Sequence, residues 1–237
     1  MLDAVRYEFV RLRSLRSTWV LFATGPVIQF LFALIWATHH DMPVQTRFDN
    51  AFLGLFLVLA LLPAMAVGVA AFGHEYRYRT IVTTTLTLRT PARILGAKAV
   101  VIALFAAVSG AALVAVTLLA EVVGGTAFTD GGAIAQAFAG TVVFAVLSSL
   151  LGLGVAAVTR NATVALVAMI AFPTIIETLL ALGKVDPSLI PFSSAAKLIT
   201  TGRDQLAAGA WSSPLALLVL ATAFLAASWV TLRRRDA

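Results

Sequence analysis

The chain has 237 residues, is 60% hydrophobic and 12% charged, and has a mean hydropathy of +0.97. Soluble domains carry about 25% charged residues, so this composition excludes a surface that faces water all round and implies lipid as the main solvent. The formal net charge is +6 and cysteine is absent, which excludes disulfides, thiolate metal sites and a cysteine nucleophile.

The first stretch, residues 1–17, is read as an interfacial element. Leu2, Val5, Phe9 and Leu12 recur at helical spacing, with Arg6, Arg11 and Arg13 off that stripe. This pattern fits an amphipathic helix lying in the membrane interface, and equally a basic topology anchor. The apolar run that follows four arginines is long and lacks a clear small-residue cleavage site, so it is expected to be a retained span.

Six apolar segments follow, at about 18–38, 52–72, 94–123, 134–158, 164–182 and 214–232. Backbone groups in lipid must bond internally, so each is expected to be a helix. The expected architecture is therefore an all-α membrane protein, with residues 18–237 forming a single six-span domain. Residues 73–93, between spans 2 and 3, are charged and polar around an aliphatic patch. Residues 183–213 form a long, rather apolar loop before the last span, expected to hold short helices at the opposite face.

The cations set the orientation. Arg6, Arg11, Arg13, Arg16, Arg77, Arg79, Arg89, Arg93, Lys98, Arg160, Arg233, Arg234 and Arg235 fall on one side. Arg47, Lys184, Lys197 and Arg203 fall on the other, thirteen against four of the seventeen. By the positive-inside rule both termini are predicted to be cytoplasmic in a multi-pass protein of the cytoplasmic (inner) membrane. Basic residues spread over four loops and ends match anionic lipid headgroups and give no sign of nucleic-acid binding.

Candidate chemistry is sparse. Ser194 and Lys197 match a Ser-x-x-Lys pattern, but its companion elements are absent. His39, His40 and Asp41 are adjacent and cannot easily converge on one ion, so an interfacial turn before Pro43 is expected; no metal site and no catalytic residue are assigned. No phosphate loop is present, so ATP is not hydrolysed by that route in this chain. Glu177 is the one acidic residue well inside a predicted span, one turn after Pro173, and such a group is a functional candidate by default. Its other reading is a carboxylate near the surface, reached by water or paired with Lys184. Glu121 lies nearer a span end and is read as a rim residue. Phe52, Phe56 and Phe172 join Glu177 as candidate lining of a path between the spans, or else are ordinary packing aromatics.

The loop after span 2 is the most specific stretch. Thr90 and Pro91 suit the N-cap and first turn of the third helix. Glu75 and Arg79 stand four apart and can pair on a helix. Ile81, Thr84 and Leu88 share a helical face that a partner groove could bury. Glu75, Thr80, the aliphatic patch of Ile81, Val82 and Leu86, then Pro91, Arg93 and Lys98 resemble the permease subunit of ABC-2-type transporters. The chain departs from that pattern in having Arg79 where glycine is usual and in placing the arginine two residues after Pro91. The six-span plan, the N-terminal helix, the short turn at Arg160 and the long loop before the last span extend the resemblance.

The resemblance implies that residues 73–93 hold a coupling helix, with Glu75, Arg79, Thr80, Ile81, Val82, Leu86, Pro91 and Arg93 meeting a separate cytoplasmic ATPase subunit. It also implies two ATPase copies that bind ATP and magnesium, a second permease copy (identical or not), and export of a hydrophobic or amphipathic substrate. An intramembrane lipid-modifying enzyme and a non-transporting scaffold or sensor are the alternatives.

Overall fold

The computed structural model of the chain describes residues 2–52, 54–78, 90–186, 189–200 and 214–233. Among these every regular element is a helix, with no strand, and six helices are long and apolar enough to cross a membrane. The protein is an all-α, multi-pass membrane protein. Its helices are α1 (Leu2–Ser14), α2 (Arg16–Ala37), α3 (Val44–Asn50), α4 (Gly54–Arg77), α5 (Pro91–Val123) and α6 (Gly131–Thr159). They continue with α7 (Ala162–Ala171), a π-helical turn (Phe172–Ile176), α8 (Glu177–Leu182), α9 (Pro191–Thr200) and α10 (Leu215–Arg233). The spans are α2, α4, α5, α6, the continuous α7–α8 and α10.

The spans are not equivalent. In α4 and α6, 72% of the most apolar window is buried inside the protein; in α2, α7–α8 and α10 the share is 17–22%. α6 is the hub, packing on α4, α5, α9 and α10. Backbone contact makes this possible. A Cβ added at Gly68 of α4 would fall on the Ser149 carbonyl oxygen of α6, and one at Gly152 would lie 3.0 Å from the Met65 carbonyl oxygen. Without a hydrophobic drive between helices in lipid, such close approach is a main source of association.

Local sequence explains several helix ends. The side chain of Asp130 accepts from the Gly132 and Ala133 N–H groups and caps α6. Asn161 caps α7 in the same way through Thr163 and Val164. Arg160, between them, is left-handed at φ 54°, which closes α6 in a tight turn. Thr90 holds the extended N-cap geometry before Pro91, but its side chain makes no capping hydrogen bond, so α5 starts on backbone geometry and the fixed φ of proline. α4 runs on to Arg77, placing Gly73–Arg77 on the helix, where the sequence suggested a loop.

Pro173 lacks an N–H for the helical ladder, and the chain answers with one π turn, in which the Glu177 N–H reaches the Phe172 carbonyl. Pro173 therefore shifts the helical register by one residue.

In α1 the buried face is Ala4, Glu8 and Leu12. The expected apolar stripe is divided: Leu2 and Phe9 are exposed, Val5 is half-buried and Leu12 is buried. An interfacial helix can leave apolar side chains toward lipid, while its inner face follows the chemistry of what it packs against.

Candidate functional site

Two polar sites stand out, at opposite ends of the bundle. The first joins α1, the end of α4 and the start of α5. Lys98 Nζ donates to Glu8 Oε1 at 2.7 Å, to Glu75 Oε1 at 2.6 Å and to the Ala71 carbonyl at 3.0 Å. Arg11 donates to Glu75 Oε1 at 2.7 Å and to the Ala71 carbonyl at 2.9 Å, and pairs with Glu8 at 2.9 Å. Lys98, Glu8 and Glu75 are buried and Arg11 is half-buried. The Phe72 ring lies under the ammonium, 5.0 Å from Nζ to its centroid.

Two carboxylates and two cations balance, which is the condition under which charges persist away from water. The shared Ala71 carbonyl, one turn before Glu75, fixes the cations against the α4 backbone. Both helices that flank residues 79–89 therefore meet in one cluster, and α1 closes it.

The second site is at the other end. Glu177 is buried and accepts from the Phe192 N–H at 2.6 Å, the Ser193 N–H at 2.8 Å and the Ser193 hydroxyl at 2.7 Å. It caps α9 from another helix, satisfying N–H groups that have no partner within α9. The one-residue slip at the π turn sits immediately before Glu177 and sets its register toward α9. A cavity of about 290 Å³ opens beside it, lined by Val58, Pro173, Thr174, Thr178, Phe192 and Ser193 among others.

The remaining candidates lie as follows. Phe52 is in the turn after α3, buried edge-on against Phe48. Phe56 is half-buried and packs on Phe32 at 4.4 Å between centroids. Phe172 is half-buried, 6.1 Å from Phe192. Pro91 and Arg93 begin α5, with Arg93 exposed. Arg79, Thr80, Ile81, Val82 and Leu86 lie outside the described residues.

Glu121 sits in the last turn of α5, near the span end as expected, but is buried: the chain folds back after Val123, and Thr126 donates to the Glu121 carboxylate at 3.1 Å and to its carbonyl. Ser194 is buried and donates to the Pro191 carbonyl, while Lys197 is exposed. His39 bonds the Ile35 carbonyl and His40 meets Arg47 at 3.4 Å; no metal-binding cluster occurs among the described residues.

Sequence reasoning passed over Glu8, Arg11, Gln29 and Arg47 as structural partners. Gln29 is buried in α2 and donates to the Ala51 carbonyl and the Thr117 hydroxyl. Arg47 donates to the Ala37 carbonyl at the end of α2. A usable signal existed for Glu8: it is one of few acids on a strongly basic side, four residues before Leu12 on the same helix face.

Neither the protein-family models nor the curated proteins yield a match to this chain.

Proposed function

We propose that this chain is the membrane subunit of an ATP-driven ABC-2-type exporter, working with a cytoplasmic ATPase that binds ATP and magnesium, as two copies, and with a second permease copy. The observation that carries this reading is the buried cluster of Glu8, Arg11, Glu75 and Lys98. It stands at both roots of residues 79–89, the stretch whose sequence resembles a coupling helix. A push on that stretch would reach α4, α5 and α1 together, because parting α4 from α5 breaks the buried Lys98–Glu75 pair and lifting α1 removes Glu8 and Arg11 from both. Rigid-body tilting of the spans would then open a path to the far side.

The cavity beside Glu177, at the level of the π turn, suits the path or its gate, and its mixed lining suits a hydrophobic or amphipathic cargo. In this reading both termini and residues 79–89 face the cytoplasm. A single cysteine introduced at Arg89 should resist an impermeant external thiol reagent in intact cells; ready labelling there would reverse the orientation.

The docking test is Leu86→Asp in the full chain, expressed with its genomic neighbours. The variant should insert normally and lose co-purification with an ATPase, or the hydrolysis that the permease stimulates, by tenfold or more. Wild-type binding and wild-type stimulation would refute the coupling assignment.

A further inference from the structure

An apolar groove of about 390 Å³ lies between the C-terminal half of α1, the start of α2 and the middle of α5. Its walls include Phe9, Trp19, Phe22, Leu104 and Phe105, and Arg13 stands at its edge. The aromatic wall is braced: Phe22 packs edge-on against Phe105 at 5.2 Å and Trp19 against Phe22 at 6.2 Å. The Trp19 indole donates to the Arg13 carbonyl at 2.9 Å, which fixes the corner between α1 and α2. The groove follows α5 from Val101 to Val108, about 10 Å of helical rise into the apolar layer. Its volume is within the range of small-molecule sites, roughly 300–1,000 Å³.

Charge stands beside it: Arg13 lines the groove, and Arg16 opens α2 two residues before Thr18 of its wall. Arg6, Arg13 and Arg16 are exposed and, among the described residues, none forms an ion pair. Arg6 lies two helical turns before Arg13 on the same face of α1. The neighbouring carboxylates Glu8 and Glu75 are already held by Lys98 and Arg11. The rim is thus cationic without internal compensation, above a slot that accepts only hydrocarbon. Tryptophan at the entrance is the side chain favoured at headgroup depth.

We propose that this groove holds one acyl chain of an anionic phospholipid, its phosphate bound by Arg13 and Arg16, as a lipid wedge between the interfacial helix and spans α2 and α5. The inference needs the membrane setting but not the exporter reading. A basic rim over a shaped slot selects on headgroup charge, whereas the general lipid-facing surface does not.

Brominated lipids test it. In the full chain with Trp36, Trp211 and Trp229 changed to Phe, Trp19 reports the groove alone. Brominated phosphatidylglycerol should quench Trp19 at a mole fraction several-fold lower than brominated phosphatidylcholine does. Arg13→Gln with Arg16→Gln should make the two lipids equivalent while the protein keeps its unfolding temperature. Leu104→Phe, which narrows the slot, should weaken quenching by both. Equal quenching by both lipids in the parent protein would reduce the groove to ordinary lipid contact and overturn the proposal. So would no quenching by either, which would mean that another copy of the chain covers the groove.

Discussion

The two ends of the bundle solve the same problem differently. Where α1, α4 and α5 meet, buried charge is balanced by charge: Glu8 and Glu75 against Arg11 and Lys98. At the far end one carboxylate, Glu177, is balanced by dipoles, the N–H groups at the start of α9 and the Ser193 hydroxyl. The first arrangement ties three helices together and fails as a unit, since losing one member strands the others. The second adds a polar tie between α9 and one span, while α9 also packs its apolar side chains on α6 and α10. The end that flanks residues 79–89 therefore loses its charge balance as a whole when one group is removed, whereas loss of Glu177 leaves the apolar packing of α9 on α6 and α10 in place.

The largest effect should come from the charged end. Lys98→Met leaves two buried carboxylates with only the half-buried Arg11, and breaking a buried pair this way costs about 3–5 kcal/mol. Unfolding of the detergent-solubilised protein by added sodium dodecyl sulfate should shift accordingly. A shift no larger than that of an exposed α10 substitution would mean that the cluster is not the anchor described.

Glu177 should give the smaller and more local effect. Glu177→Ala leaves three donors unsatisfied at the start of α9, a loss of about 1–3 kcal/mol. Glu177→Gln should lie between alanine and the parent, because the amide keeps one acceptor oxygen but turns its NH2 toward donors. Hydrogen exchange should rise at Phe192 and Ser193 and stay unchanged at Ala71 and Glu75. If the chain is the proposed exporter subunit, transport by the glutamine variant should likewise exceed that of the alanine variant. A global loss of protection would erase the contrast between the ends.

Much of the frame was legible beforehand. Composition and apolar run length gave the all-helical class and the six spans, and Asn161 and Pro173 sit where the chain turns or changes register. The polar sites were only half legible. Glu177 was singled out as a charge inside a span, yet its partners come from α9, fifteen residues on, and no periodicity reveals that a distant carboxylate will cap a helix. Lys98 and Glu75 belong to the recognisable motif, whereas Arg11 reads from sequence only as a cation of the amphipathic helix and Glu8 carries no reading of its own. Hydrophobic periodicity ranks α1 by its apolar side chains and so selects Leu2, Val5, Phe9 and Leu12, of which Leu12 is buried and Leu2 and Phe9 are exposed. The structure instead buries Glu8, because its neighbour there is an ammonium. Phe52 fell inside an apolar run, but the chain turns at that point and packs the ring against Phe48.

The central claim is that α1 is fastened to the spans by the buried cluster at the roots of residues 79–89, and a double-mutant cycle on Glu8 and Lys98 tests it most directly. Glu8→Gln, Lys98→Met and the double variant would be compared by unfolding free energy in one detergent. The pair should show a coupling of at least about 1 kcal/mol, with Lys98→Met costing less once Glu8 is already neutral. Additivity to within about 0.5 kcal/mol, the behaviour of independent sites, would contradict the account.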